Sequence, residues 1–401
     1  MRRIGLIKEG KIPQDSRVAF TPLQCKLIQQ NNSDIKFVVQ PSSSRCFSDG
    51  EYAKMGIEIN DDLSECDIIL GIKEIPKDLL IPNKKYFFFS HTRKKQPYNR
   101  KMLQFIIKNK ITLIDYECLE HEDGQRVLGF GFFAGIVGAH NGIWAYGKRT
   151  GLFDLPRVYQ CKDYRSLINY YFGLKLPAIK IAVTGSGRVA HGIIEIMNLM
   201  GVTEVEIDEY LENKFNYPVY VQLKSGDLYE HSISGNYNRK DFHLNPTNYS
   251  CKFKAFLQDT DILMNGVYWD SEIPSLFNKE DIQHESFRIN TISDITDDAF
   301  GSVPINLGDQ DILNPVYGVD RNTFEKTAPY LKNSIDIIAV GNLPNELPRD
   351  ASRYFGEQLM KFILDDIFEC KRTMLKNATI VSDGILTEPF NYLQDYVNET
   401  L

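Results

Sequence analysis

Short apolar runs rich in Ile, Val and Phe recur along the chain, each bounded by polar or glycine-containing turns. Residues 4–7, 37–40, 67–72, 85–90 and 112–115 read as strands. Helical or loop lengths separate them, which predicts a parallel sheet. Thr21 followed by Pro22 reads as N-cap and first helical position of a helix reaching Gln30. Gly131, Ala134, Gly135 and Gly138 fall three or four apart, so a helix running to about Tyr146 would carry a face for close packing. That helix is expected to cross between two domains. Residues 180–184 form a further strand, and 203–207 another that ends at Asp208. The segment 209–255 is polar and is expected to be an irregular inserted lobe, after which 261–267 and 288–295 return as core strands. Residues 342–348 read as extended, and a last long helix over 353–368 is expected to return to the first domain. The implied division is 1–138 plus 333–401, and 139–332.

The strand at 180–184 leads into Gly185-Ser186-Gly187-Arg188-Val189-Ala190, and Ile193 to Met197 then reads as a helix. Strand, Gly-x-Gly-x-x-Ala and helix together form a dinucleotide fingerprint. Gly185 permits the tight turn, Gly187 lets backbone approach a pyrophosphate, and Ala190 is small enough for close helix–strand contact. The helix N-terminus offers unpaired N–H groups to the phosphates. Asp208 lies about 20 residues on, where such folds place the partner of the ribose 2′-hydroxyl. On that reading NADH is preferred to NADPH, with Glu206 as the alternative carboxylate. Asn265, Gly266 and Asp294 sit at strand ends, where they can face the nicotinamide ribose or simply close Asx turns.

Composition adds exclusions. The chain has 401 residues, enough for two domains with ample core, and is 43% hydrophobic and 25% charged. A net charge of −7 gives no general electrostatic reason to bind nucleic acid or an anionic membrane. No apolar run reaches transmembrane length, and no signal-peptide core opens the chain. Seven scattered cysteines form no C-x-x-C pair, so no metal site is indicated and a reducing, cytoplasmic setting is expected.

Three polar residues lie at predicted strand ends: Lys73, His91 and Glu117. Ligands of parallel sheets gather outside the carboxyl ends of the strands, and Lys, His and Glu make a workable acid–base set. Three unrelated polar caps would look the same. Arg17, on a loop before a helix, can clamp a carboxylate with two N–H groups or serve as a surface ion pair.

Taken together these segments resemble a known family. Lys8-Glu9 with Arg17-Val18-Ala19-Phe20-Thr21-Pro22 is similar to the opening of alanine dehydrogenases, transhydrogenases and saccharopine dehydrogenases. Ser90-His91-Thr92-Arg93-Lys94, Asp115-Tyr116-Glu117, Gly131-Phe132-Phe133-Ala134-Gly135, Asn265-Gly266-Val267-Tyr268-Trp269 and Asp294-Ile295-Thr296-Asp297-Asp298 resemble the lysine–ketoglutarate reductase domain of aminoadipic semialdehyde synthase. The resemblance runs from end to end. It implies an α/β protein of two Rossmann-like domains with parallel sheets and an active-site cleft between them. It implies reductive amination, in which lysine condenses with 2-oxoglutarate and hydride reduces the imine to saccharopine. It places the acid–base pair on Lys73 and His91, an acidic tuner on Glu117, substrate contacts on Arg17 and Arg126, and a nicotinamide-ribose contact on Asp298. The implied cofactor is NAD, with NADP as the alternative, because Asp208 departs from the pattern of the NADPH-preferring reductase domains. The implied partners are small amino acids and 2-oxo acids, and an oligomer is compatible with them. An alanine-dehydrogenase-like or opine-type enzyme is the alternative within the fold, and a dinucleotide-binding redox sensor the alternative outside catalysis.

Overall fold

In the computed structural model, which describes residues 1–399, the chain divides into two units, Met1–Phe130 with Pro348–Leu401 and Gly131–Leu347. The first contains β1 (Arg2–Leu6), β2 (Ile35–Val39), β3 (Glu58–Ile59), β4 (Ile68–Leu70), β5 (Lys85–Phe88) and β6 (Thr112–Asp115). The second contains β7 (Lys180–Thr184), β8 (Thr203–Glu204), β9 (Val219–Leu223), β10 (Tyr229–His231), β11 (Tyr249–Cys251), β12 (Ile262–Asn265), β13 (Thr291–Asp294), β14 (Val316–Asp320), β15 (Lys326–Thr327) and β16 (Ser334–Ile338). The chain then returns to the first unit through β17 (Thr379–Ser382) and β18 (Ile385–Leu386). Both large sheets are mostly parallel, and the α/β class expected from the sequence is the one observed.

The first sheet has the order β18-β17-β6-β5-β4-β1-β2-β3. From β6 to β3 every pairing is parallel, and β17 and β18 close one edge antiparallel. The inner strands are buried along their length, as in Ile68, Ile69 and Leu70, because helices and loops cover both faces. Parallel pairing also puts the carboxyl ends of β6, β5, β4 and β1 on one edge. Thr21 caps the helix Pro22–Asn31 in a reciprocal capping box with Gln24. Residues 342–348 are not extended: Leu343–Glu346 forms a 3₁₀ turn, and the last long helix begins at Pro348 and ends at Phe362. Proline at the first helical position needs no N–H partner, which explains the earlier start.

The second sheet has the order β15-β14-β16-β13-β12-β7-β9-β8. The segment 209–255 is not an irregular lobe. It supplies β9, which pairs with β7 in parallel from Lys180 opposite Val219 to Thr184 opposite Leu223. The β10–β11 ribbon follows, with Tyr229, Phe242 and Tyr249 packed ring against ring. Burial of these aromatics outweighs the polar average of the segment. The strand expected over 203–207 stops at Glu204, and a short helix, Ile207–Glu212, begins with Glu206 as its cap.

The glycine-faced helix spans Gly131–Thr150 and lies wholly within the second unit. It packs on the helix Arg188–Leu199 at backbone contact. A Cβ on Gly135 would meet the Val189 carbonyl oxygen at 2.0 Å, and one on Gly192 would meet that of Phe132 at 2.0 Å. Among the described residues no helix is long and apolar enough to cross a membrane. Gly135→Val should therefore cost the second unit about 1–3 kcal/mol or more, the usual scale of overpacking. Thermal or urea unfolding reads this directly, and an unchanged midpoint would contradict so close an approach.

Candidate active site and nucleotide turn

The first unit gathers its charged residues where β6, β5, β4 and β1 end side by side. Glu9 follows β1. Its carboxylate accepts the backbone N–H of Ile72 at 2.7 Å and of Lys73 at 2.9 Å, just beyond β4. One side chain thus fixes the turn from which Lys73 projects. Asp115, at the end of β6, does the same for the neighbouring pair: it accepts the N–H of Ser90 at 3.0 Å and of Glu117 at 2.7 Å. Part of Glu9 reaches the surface, yet its carboxyl is buried, and burial together with the Asp15 carboxylate pushes it up to about 8. Burial raises Asp115 to about 6 against its own hydrogen bonds.

Lys73 is largely buried and is drawn down to about 8, first by desolvation and then by the cations Arg17 and Lys11. Asp15 and Glu74 oppose that shift. His91 follows β5 in a left-handed conformation, with φ of 52°, and its buried Nε2 has no hydrogen-bond partner. Burial lowers its pKa below the ordinary imidazole value, Lys73 lowers it further, and Glu74 and Glu117 pull the other way. Lys73, His91 and Glu117 therefore share one electrostatic neighbourhood. Glu117 accepts a 2.7 Å bond from Arg126 on one oxygen, while its other oxygen is buried without a partner. Arg126 itself is exposed.

Arg17 already holds a carboxylate. Its Nε and Nη2 bind Asp15 at 2.9 and 2.5 Å, both residues are 3% exposed, and the guanidinium lies 4.2 Å over the Phe130 ring. Its charge nevertheless reaches Lys73. Sequence reasoning overlooked Glu9, Asp15, Lys11 and Glu74. Lys11 and Glu74 form an ion pair at 2.9 Å beside the cluster. The adjacency of Glu74 to Lys73 and the Asp15-x-Arg17 spacing were the available signals.

In the second unit β7 runs into Gly185, whose φ of +101° and approach to the Gly266 carbonyl both require glycine. Gly187 is the N-cap of the helix Arg188–Leu199, and no heavy atom lies within 4 Å of where its Cβ would be. Ser186 and Gly187 are exposed, and Arg188 and Val189 half-buried. A helix N-terminus without a side-chain cap, with open space above a glycine, fits a dinucleotide pyrophosphate.

Other candidates fall elsewhere. Asp208 does not end a strand; it lies exposed in the first turn of Ile207–Glu212, because the chain turns helical at the Glu206 cap. Glu206, the alternative, is that cap. Asn265 and Asp294 are wholly buried and bonded to each other at 2.8 Å. Thr184, Ser302, Thr296 and Asn306 complete their network. Their side chains tie β7, β12 and β13 to the following turn rather than facing outward. Asp298 is exposed in that turn. Its neighbour Asp297, at φ +61° and with one buried unpartnered oxygen, is pushed up to about 8 by burial and by Asp309, Asp294 and Asp298.

Glu9 gives a stability prediction whose sign is fixed. The unfolded chain releases this proton near 4.5 and the folded chain near 8, so between those values the folded state binds more protons. Its contribution is fully present below 4.5 and is lost as pH rises to 8. Stability of Glu9→Gln should fall less steeply than wild type over that window. Parallel slopes in denaturant titrations from pH 5 to 8 would contradict the assignment.

Residues 5–137 match the family described as Alanine dehydrogenase/PNT, N-terminal domain. The alpha-aminoadipic semialdehyde synthase of Arabidopsis thaliana is 28% identical over 97% of this chain, which spans 41% of that protein. The mitochondrial enzyme of the same name from Rattus norvegicus is 27% identical over 90% of this chain and 44% of its own length. The chain thus spans less than half of these relatives. A saccharopine dehydrogenase [NAD(+), L-lysine-forming] of Emericella nidulans is 28% identical over 90% of this chain and 91% of its own. Among solved structures, an L-alanine dehydrogenase superposes with a TM-score of 0.63 at 15% identity, covering 98% of each chain. A transhydrogenase from Sinorhizobium meliloti follows at 0.59 and 13%, over 96% of this chain and 99% of its own. The chain shares the fold of L-alanine dehydrogenase, residues 5–137 match the alanine dehydrogenase/PNT N-terminal family, and the sequence resemblance to the saccharopine dehydrogenase and aminoadipic semialdehyde synthase group is borne out.

Proposed function

We propose that this chain is a nicotinamide-dependent oxidoreductase acting on a CH–NH bond, interconverting lysine plus 2-oxoglutarate and saccharopine. The observation that carries the reading is the pair Lys73 and His91 on neighbouring strand ends, with a lysine poised near 8 beside an imidazole held below its ordinary value. Two groups whose pKa values are set apart can divide acid from base work. At neutral pH Lys73 is mostly charged and His91 neutral. His91 accepts the proton that frees the substrate amine to attack the oxo acid carbonyl. The C–N bond forms as His91 returns that proton to the carbonyl oxygen and takes one from the attacking nitrogen, and Lys73 then gives its proton to the resulting hydroxyl, which leaves as water to produce the protonated imine. A bound nicotinamide dinucleotide, NAD or NADP, supplies hydride to the imine carbon or removes it in reverse. Glu117 favours the charged form of His91 and fixes Arg126, whose exposed guanidinium suits a substrate carboxylate. Arg17, occupied by Asp15, acts on Lys73 through its field. The reaction uses small molecules, and seven unpaired thiols are consistent with a cytoplasmic setting.

Oxidation of NADH or NADPH with 2-oxoglutarate plus lysine, set against pyruvate plus ammonia, tests the substrate class. Turnover only in the second mixture would move the chain to an alanine-dehydrogenase-like reaction. Lys73→Met and His91→Gln should each lower turnover by roughly 10²–10⁴-fold, with dinucleotide binding nearly unchanged. Near-normal turnover in both variants would remove the acid–base assignment.

A further inference from the structure

The helix Gly131–Thr150 has a second face. His140, Trp144 and Lys148 recur every four residues, on the side opposite Gly135 and Gly142, which meet the helix Arg188–Leu199 and β13. The chain that follows the helix folds back over this face. His140 Nε2 lies 2.8 Å from the Pro156 carbonyl oxygen, and its Nδ1 lies 2.9 Å from the Tyr171 hydroxyl. Phe153 packs against Gly147, 2.7 Å from where a Cβ would stand. Between helix and returning chain is an open cavity of about 550 Å³, a size that takes a small organic molecule. Trp144, Leu155, Pro156 and Tyr170 wall it, and Lys148 stands at it, paired with Asp154 at 2.7 Å.

The cavity also holds a buried cation. Arg157 lines it and is 6% exposed, with its guanidinium 4.7 Å over the Trp144 ring. Nη2 donates to the Ile312 carbonyl at 2.8 Å and to Glu346 at 3.1 Å. Among the described residues Nε and Nη1 have no hydrogen-bond partner. Glu346 is buried too, accepts from Asn141 at 2.8 Å and from the Tyr159 N–H at 3.3 Å, and is pushed up to about 7 by burial. At neutral pH it therefore balances only part of the Arg157 charge. A buried cation with spare donors and incomplete counter-charge favours an anion.

We propose that this cavity binds a small aromatic carboxylate, with its ring against Trp144 and Tyr170 and its carboxylate on Arg157. A carboxylate takes charge-assisted bonds from the free guanidinium donors, and an aromatic ring gains from packing on an indole and a phenol beyond the area it buries. The body of the helix lies between this cavity and the helix that closes the glycine turn, so the site is separate from the nucleotide turn and does not depend on the reaction proposed above.

Calorimetry on the full chain with phenylacetate, cyclohexylacetate and 2-phenylethylamine separates the ring from the charge. Phenylacetate should bind one-to-one with a Kd of about 1 mM or tighter. Cyclohexylacetate should bind roughly 3- to 10-fold more weakly, and 2-phenylethylamine should not bind. Trp144→Leu should weaken phenylacetate about 10-fold. Arg157→Gln should abolish binding, but it also releases Glu346, so Tyr170→Asp provides a second variant. Tyr170 is exposed, so that change should leave the unfolding midpoint in place while removing the ring and repelling the carboxylate. Arg126→Ala, in the first unit, should leave phenylacetate binding unchanged. No binding of phenylacetate, or equal binding of 2-phenylethylamine, would overturn the proposal. Binding lost in Arg126→Ala but kept in Tyr170→Asp would overturn it by placing the ligand in the candidate active site.

Discussion

The candidate site depends on buried carboxylates that accept backbone N–H groups from the next strand. Glu9 reaches from the end of β1 to the turn after β4, and Asp115 from the end of β6 to the turn after β5. Parallel strands leave ladder donors unpaired where they diverge, and a buried N–H without a partner is costly. Each carboxylate satisfies two donors at once and sets the direction of the side chain that follows. Lys73, His91 and Glu117 are held in one place by this means, from segments distant in the chain. The cost is desolvation of the carboxylates, visible in the raised values of Glu9 and Asp115.

The second unit solves a similar problem with an amide, hydroxyls and one buried carboxyl. Asn265 and Asp294 join the ends of β12 and β13, Thr184 adds β7, and Ser302 and Asn306 bind the turn that follows. The glycine turn above this network is open because its own residues are small and its helix is seated firmly. Gly135 and Gly192 let two helix backbones touch, which fixes the helix whose N-terminus closes the turn. Side chains at either glycine would displace that helix, so the packing of the two helices and the position of the glycine turn share one constraint.

Much of this was legible in the sequence because it is local. The strand runs, the Thr21 cap and the Gly185–Ala190 turn are set by near neighbours. Lys73, His91 and Glu117 could be placed together because parallel strands end on one side. What was missed is non-local. Glu9 binds partners 63 and 64 positions away, and nothing in its own surroundings marks it as more than a turn residue. Strand β9 was hidden by the polar residues around it. Asp208 was favoured because β8 comes next in the chain, yet order in sequence is not order in the sheet: β9 lies beside β7, and β8 lies beyond it. Asn265 and Asp294 looked like ligand contacts because strand-end polar residues serve both purposes, and only their burial decides which.

The central claim is that these strand ends hold a lysine whose ammonium group gives up its proton close to neutrality. Carbon-13 NMR of the protein labelled at the lysine ε-carbons measures this without any assumption about substrate. The account predicts one resonance that titrates near 8 and is missing from Lys73→Met. If every lysine in the wild-type spectrum titrates close to its ordinary value of about 10.4, Lys73 is not the proton carrier that the arrangement requires.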